Sequence, residues 1–295
     1  MQSRRNFIKQ TALITAGSIT LGASTLNANS NSGAKMKTEP IANLTPKAKE
    51  NFMAFLKTTD LPVGYSDPEF ISNYINFAFD ESLEKSGIDH QSAVLLIMVS
   101  LVASGGENEF EHMVNAGLNL QIDPSVLKET LYHTTPYVGV GKMAQFIRVL
   151  NLVFAKRGVE LKQSGSQTTT RQNRHEKGLQ AQIDIFGEGM KKYKSTFAPD
   201  MAHFADFLSA NCFGDYYTRT GLNLSFRELL TFAILASLGG VESQLKGHIT
   251  GNLNMQNDRA KLIAVITLLV PYIGYPRSLN ALNAINEITP YKEEK

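Results

Sequence analysis

Gln244 and His248 stand one helical turn apart in the stretch GGVESQLKGHITGNLNMQ, residues 239–256. Four-residue spacing puts the amide and the imidazole on one helix face. Imidazole titrates near neutrality, so the pair has the make-up of a general acid or base with an orienting amide. A weaker copy of the arrangement surrounds Gly105–Gln121, with His112 in the place of His248 and Glu107, Glu109 and Glu111 beside it. Glutamates so spaced describe a solvated face before they describe a site. Glu129 and His133, again one turn apart, offer an acid–base pair or two metal ligands. Two ligands do not make a metal site and no further cluster joins them, so no metal is expected. Arg227 could hold a substrate carboxylate or project into water. Glu228 closes the pattern Ser225-Phe226-Arg227-Glu228, a capping box that assigns it to a helix start. Cys212 is the single cysteine of the chain. An intramolecular disulfide, a CxxC pair and a cysteine-rich metal site are thereby excluded, and its aromatic surroundings assign it to the core.

The elements that must carry these residues read as helices throughout. No segment alternates at period two, so the fold class is all-α. Thr45-Pro46, Asp67-Pro68 and Asp123-Pro124 are start signals, a capping side chain followed by proline at the first helical position. The apolar run Ala93–Ala103 is too long for most strands and too short for a membrane, so it fits a buried central helix. Gly87 and Gly105-Gly106 stop helices, and Pro136-Tyr137-Val138-Gly139 ends the one begun at Asp123. No segment past the amino terminus reaches the roughly 18 apolar residues of a membrane span.

The same punctuation then recurs. Phe226–Leu238 answers Gln91–Ser104, Gly239-Gly240 answers Gly105-Gly106, and Pro271-Tyr272-Ile273-Gly274 answers Pro136-Tyr137-Val138-Gly139. A duplicated helical unit is the expectation. Residues 1–28 read as an export signal, since Ser3-Arg4-Arg5-Asn6-Phe7-Ile8-Lys9 resembles the twin-arginine pattern and a short apolar stretch leads to a cleavage point after Ala28. Residues 29–60 form a leader and first helix, 61–157 a first unit, 158–172 a polar linker and 173–295 a second unit. The formal charge of +2 turns slightly negative once Arg4, Arg5 and Lys9 are removed, which leaves no nucleic-acid footprint.

FRELLTFAILASLGGVESQLKGHITGNLNMQ, followed by PYIGYPRSLNALNAINEI, resembles the carboxymuconolactone decarboxylase family. The resemblance covers Pro62–Ala155 and Gly178–Ile288 and is strongest from Leu222 to Ile288. It implies tandem all-helical units built on a helical hairpin and assembled into homo-oligomers. Members include a cofactor-free lactone decarboxylase and alkylhydroperoxidase D, which uses a CxxC pair one turn before a histidine. Here those thiol positions hold Gln244 and Val241 before His248, and Asn108 and Gly105 before His112, so that peroxidase cycle has no thiols to run on. The decarboxylase branch implies a Glu and at times a His on the later helix, before a Tyr-x-Gly turn. Glu129, His133 and Tyr137 supply them in the first unit; the second keeps Tyr272 but has Ala264 and Leu268 at the other two positions. The resulting expectation is an exported, cofactor-free lyase or isomerase acting on a small carboxylated or lactone-type molecule. His248, His112, Glu129 and His133 are its acid–base candidates, and Gln244, Tyr137, Tyr272 and Arg227 its substrate contacts. The alternative is a non-catalytic ligand-binding or assembly protein of the same fold, and a peroxidase-like antioxidant ranks third. No membrane span is expected to persist after signal removal.

Overall fold

The computed structural model describes residues 43–58, 67–160 and 165–292. The expected export signal, its cleavage point and the leader to residue 42 lie outside them. Among the described residues there is no strand, and the chain is all-helical as its periodicity predicts. In order come α1 (Pro46–Leu56), α2 (Pro68–Asn76), a π-helical segment (Phe77–Ser82), α3 (Leu83–Ser86), α4 (His90–Ser104), α5 (Glu107–Asn119) and α6 (Pro124–Lys156). Next are α7 (Arg174–Phe186), a 3-10 segment (Glu188–Thr196), α8 (His203–Phe207) and a second π-helical segment (Leu208–Tyr217). The chain closes with α9 (Leu224–Leu238), α10 (Glu242–Asn254), α11 (Arg259–Ile273) and α12 (Tyr275–Ile288).

Of the expected start signals, Thr45 and Asp123 cap with their side chains, Asp123 accepting the Ser125 amide at 2.7 Å, whereas Asp67 precedes its helix without a side-chain cap bond. Thr45 accepts the Ala48 amide at 3.0 Å, Asp89 that of Ser92 at 2.9 Å and Asp258 that of Lys261 at 2.8 Å. α4 and α9 are apolar on nearly every face and form the centre of the molecule, with Val94–Ala103 and Leu229–Ala236 contributing most of the buried wall. A smaller core of Ala181, Ile185, Cys212, Phe213 and Tyr217 lies under α7 and the second π segment, and Tyr137 packs against both cores. At Gly178 α7 rests directly on that segment: a Cβ there would come within 1.8 Å of the Ser209 carbonyl oxygen. Only glycine permits the approach.

Two hairpins share local geometry. α5 and α10 are each followed, two residues on, by a glutamine at positive φ: 60° at Gln121 and 65° at Gln256. Gly139 (φ 74°, ψ 160°) and Gly274 (φ 77°, ψ 165°) break the following helices with nearly the same dihedrals. That value of φ is costly for a residue with a Cβ.

Two expectations need correction. The polar stretch read as a linker is pinned where it is described: Thr168 Oγ1 donates to the Thr218 carbonyl at 2.8 Å and Thr169 Oγ1 to that of Gly214 at 2.9 Å. Its hydroxyls supply in hydrogen bonds what it lacks in apolar surface, while α7 begins at Arg174, beyond that stretch. Second, α6 is long and apolar enough by composition to cross a membrane. Gly139 breaks its path, however, and its buried face carries Glu129 and His133 toward neighbouring helices.

Candidate active site

α9 and α10 meet at Glu228 and His248. Asn252 is fully buried on α10 and donates to the carbonyls of Glu228 at 2.9 Å and His248 at 2.7 Å. Its own carbonyl oxygen accepts from Asn257 Nδ2 at 2.9 Å, and Asn257 also donates to the Ser225 carbonyl at 2.8 Å. This amide clamp fixes the register of the two helices at the histidine. Gly251 completes the fit, because a Cβ there would lie 2.7 Å from Glu228 Oε2 and 2.7 Å from the Phe186 ring. Asn254 ties α10 to the Ile185 carbonyl at 2.9 Å, which sets Phe186 edge-on to the His248 ring at 5.4 Å between centroids.

His248 Nδ1 lies 2.8 Å from Glu228 Oε2. The carboxylate side chain is 0% exposed and the imidazole 16% exposed. The second oxygen, Oε1, accepts the Tyr217 hydroxyl at 2.8 Å. Having donated there, Tyr217 can only accept from its other neighbours, Tyr137 OH at 2.7 Å and Thr231 Oγ1 at 2.7 Å. Thr231 has then spent its proton and accepts from His133 Nε2 at 2.9 Å. The same nitrogen faces the Arg227 carbonyl at 3.1 Å, a pure acceptor, so it carries the hydrogen. His133 Nδ1 is left bare and faces Arg227 Nη1 at 3.3 Å. Burial and the Arg227 charge hold His133 well below the ordinary histidine range, which agrees with this neutral tautomer. The donors from His133 through Thr231 and Tyr217 therefore all point at Glu228, and His248 Nδ1–H closes the other side. Aligned donors of this kind polarise one another in a low-dielectric interior. His248 Nε2 makes no hydrogen bond to any described residue and is the nitrogen free to exchange a proton.

Behind the chain lie two cations and two anions. Arg219 grips Glu129 with both forks at 2.7 Å, and Arg227, fully buried, sits 3.9 Å from the same carboxylate. Arg227 also donates to the carbonyls of Arg219 at 2.8 Å and Leu222 at 3.3 Å. Desolvation lowers its pKa to about 10, which still leaves it cationic at neutral pH. Arg219 and Arg227 balance Glu129 and Glu228, so the assembly is neutral when His248 is neutral.

The geometry sorts the sequence candidates. His248 and Tyr137 come together, their rings 6.3 Å apart. Glu129 and His133 do not form a pair: the first is consumed by Arg219, and the second is a buried neutral donor within the chain. Arg227 neither reaches a substrate nor projects into water, since every arm of its guanidinium is engaged. Gln244 does not orient His248; it is exposed and accepts from Ser243 at 2.9 Å. His112 and Tyr272 line a different cavity, with Tyr74. Glu228 is no capping residue. The N-cap is Asn223, which accepts the Phe226 amide at 2.8 Å and leaves Glu228 two positions beyond the place a capping box requires. Asn223 is as good a cap as serine, and placing the helix start there would have freed Glu228 for another role. Tyr217 and Thr231 had no local signal, because their partners lie in distant helices. Cys212 is buried, and desolvation pushes its thiol up to about 12, so it is no thiolate nucleophile. Among the described residues no group of three or more His, Cys, Asp or Glu side chains is arranged to hold a metal ion.

Residues 202–287 match the model of the carboxymuconolactone decarboxylase family. The chain is also 27% identical to a 4-carboxymuconolactone decarboxylase of Acinetobacter baylyi over 118 residues, a stretch that covers 40% of this chain and 87% of that relative. The family match contains Tyr217, Glu228, Thr231 and His248 and stops short of Glu129, His133 and Tyr137. Residues 202–287 of this all-helical chain are thus similar to the carboxymuconolactone decarboxylase family.

Proposed function

We propose that this protein is a cofactor-free enzyme that moves a proton at carbon, as a decarboxylase or isomerase of a small carboxylated or lactone-type molecule, with His248 as the proton carrier. The observation that carries this reading is the 2.8 Å contact between His248 Nδ1 and a wholly buried Glu228. A carboxylate on Nδ1 sets the tautomer, points the ring and stabilises the imidazolium, while Nε2 exchanges the proton. In a decarboxylation the bond to the carboxylate carbon breaks and carbon dioxide leaves. The electron pair delocalises onto the substrate's own conjugated carbonyl, and the His248 imidazolium returns a proton to carbon. Water restores that proton, so the sum is loss of carbon dioxide and gain of one proton.

The test is release of carbon dioxide from a panel of small lactones and β-keto acids by the wild-type chain, His248→Gln and His112→Gln. Loss of turnover by about 100-fold or more in His248→Gln, the usual weight of a positioned acid or base, with an unchanged melting temperature, is the expected result. Full turnover in that variant would overturn the reading.

The chain is further proposed to be exported, to consist of two related units and to assemble with its own copies around a small-molecule substrate, without nucleic acid or a membrane span. The paired dihedrals at Gln121 and Gln256, and at Gly139 and Gly274, support the two-unit reading. Mass spectrometry finding residues 1–28 intact on the mature protein would remove the export proposal.

A further inference from the structure

His112 faces a cavity of about 850 Å³, within the roughly 300–1,000 Å³ of small-molecule sites. Its inner wall is apolar, built from Phe52, Phe79, Leu101 and Met113, all buried. Over this wall stand Tyr74 and Tyr272, edge to face with ring centroids 6.2 Å apart. Burial raises both phenols, which keeps them protonated, and the two hydroxyls hydrogen-bond each other. Arg277, in the first turn of α12, also lines the cavity and makes no ion pair or hydrogen bond to any described residue. The same holds for the His112 ring.

The setting differs from His248 in what lies behind the imidazole. Glu228 is the fifth residue of the fifteen-residue α9; the fifth residue of the fifteen-residue α4 is Val94, buried among Leu95, Leu96 and Ile97. α6 brings Glu129, His133 and Tyr137 toward α9, whereas α11 offers Ala264 and Leu268 before Tyr272. No buried carboxylate fixes a tautomer here, and no chain of hydroxyls feeds one. What remains is an apolar chamber with a free guanidinium, an imidazole and a pair of phenols that hydrogen-bond each other and leave one hydroxyl proton for a ligand.

We propose that this cavity is a second, non-catalytic site that binds a small organic monoanion with an aromatic or other apolar body, its carboxylate held by Arg277 and His112. Single charge follows from the remaining lining. Glu111 pairs with Lys156 at 3.2 Å, but Glu109 stays unpaired at the cavity and repels a second negative charge. A monoanion leaves the apolar wall to take the body, and the cation to take the head.

The test titrates the full chain with 4-fluorobenzoate and with its neutral isostere 4-fluorobenzamide, followed by fluorine NMR and calorimetry. Saturable binding of the benzoate is expected, with the benzamide much weaker. Arg277→Gln should weaken benzoate binding by about tenfold or more, the weight of a charged hydrogen bond. Arg277→Lys, which keeps the charge and loses the fork, should fall between the two and serves if the glutamine variant folds poorly. His112→Gln should weaken binding, and His248→Gln should leave it unchanged. Equal affinity for benzoate and benzamide, no effect of either Arg277 change, or loss of binding in His248→Gln would each overturn the proposal. Its fate is separate from that of proton transfer at His248, which is read by carbon dioxide release.

Discussion

Replacing Glu228 by glutamine removes one charge and turns one acceptor into a donor while keeping the shape of the side chain. In the native protein both oxygens accept, one from His248 Nδ1 at 2.8 Å and one from Tyr217 OH at 2.8 Å. Glutamine has one oxygen, so its NH₂ must face one of these two donors. If it faces Tyr217, the hydroxyl must turn back toward Thr231 and Tyr137, whose own protons already point at it. If it faces His248, the ring must shift its hydrogen from Nδ1 to Nε2, which removes the lone pair that takes up a proton. The second arrangement disturbs one residue instead of three. Locking a catalytic histidine in the wrong tautomer has cost about 10⁴-fold in a carboxylate–histidine–serine triad, and a general acid or base is worth about 10²–10⁴-fold. Glu228→Gln should therefore lower turnover by about 10²–10⁴-fold, with a stability change of about 1–3 kcal/mol from the mismatched donor. The assay that needs no substrate is long-range nitrogen–proton NMR on histidine-labelled protein. It should find His248 as the Nδ1–H form in the neutral wild type and as Nε2–H in the variant. Nε2–H in the neutral wild type, or an unchanged tautomer with unchanged turnover in the variant, would refute the reasoning.

Other perturbations reach the same assembly from different sides. Gly251→Ala places a methyl group 2.7 Å from both Glu228 Oε2 and the Phe186 ring; overpacking should cost about 1–3 kcal/mol in denaturant unfolding and lower turnover with it. His133 is held neutral below its unfolded pKa of about 6.5, so the unfolded chain takes up the proton first as pH falls. Its contribution to stability is complete above that pH and declines below it by up to ~1.4 kcal/mol per pH unit, and His133→Gln should flatten that acid limb in unfolding measured from pH 8 to pH 5. Cys212→Ser should leave any turnover nearly unchanged and cost about 1 kcal/mol in unfolding, because the thiol is buried and protonated; hydroperoxide turnover lost in that variant alone would restore thiol chemistry.

The helices were legible because their punctuation is local. Asp123-Pro124, Gly105-Gly106 and the Pro-Tyr-x-Gly turns say where elements start and stop without reference to the rest of the chain. Periodicity likewise marks the central helices from their apolar runs. The relay was not legible, since it joins residues that sequence keeps far apart: Thr231 meets Tyr137 across 94 positions, and His133 meets Arg227 across 94. Spacing of four along a helix suggested Gln244 with His248 and Glu129 with His133, yet Glu228 on α9 claims His248, Arg219 in the loop before α9 claims Glu129, and Gln244 bonds Ser243. In the sequence Arg227 could hold a substrate carboxylate or project into water, as charges usually do, and Glu228 reads as a helix cap. α9 has almost no solvent face, so both turn inward and each must find buried partners. Glu228 was set aside for a local cap when a long-range contact claims it.

The division of the relay between two stretches of chain bears on its modularity. α9 and α10 bring Glu228, Thr231 and His248, but α6 brings Tyr137 and His133. A fragment trimmed to residues 202–287 would keep the acid and the imidazole and present Thr231 and Arg227 to water in place of α6. A shorter chain could recruit an equivalent helix only from a second copy, and the contact would then weaken on dilution. Carrying α6 on the same polypeptide makes the encounter intramolecular, with an effective concentration set by the tether. Under the proposed function, turnover should accordingly persist in dilute solution, independent of any self-association.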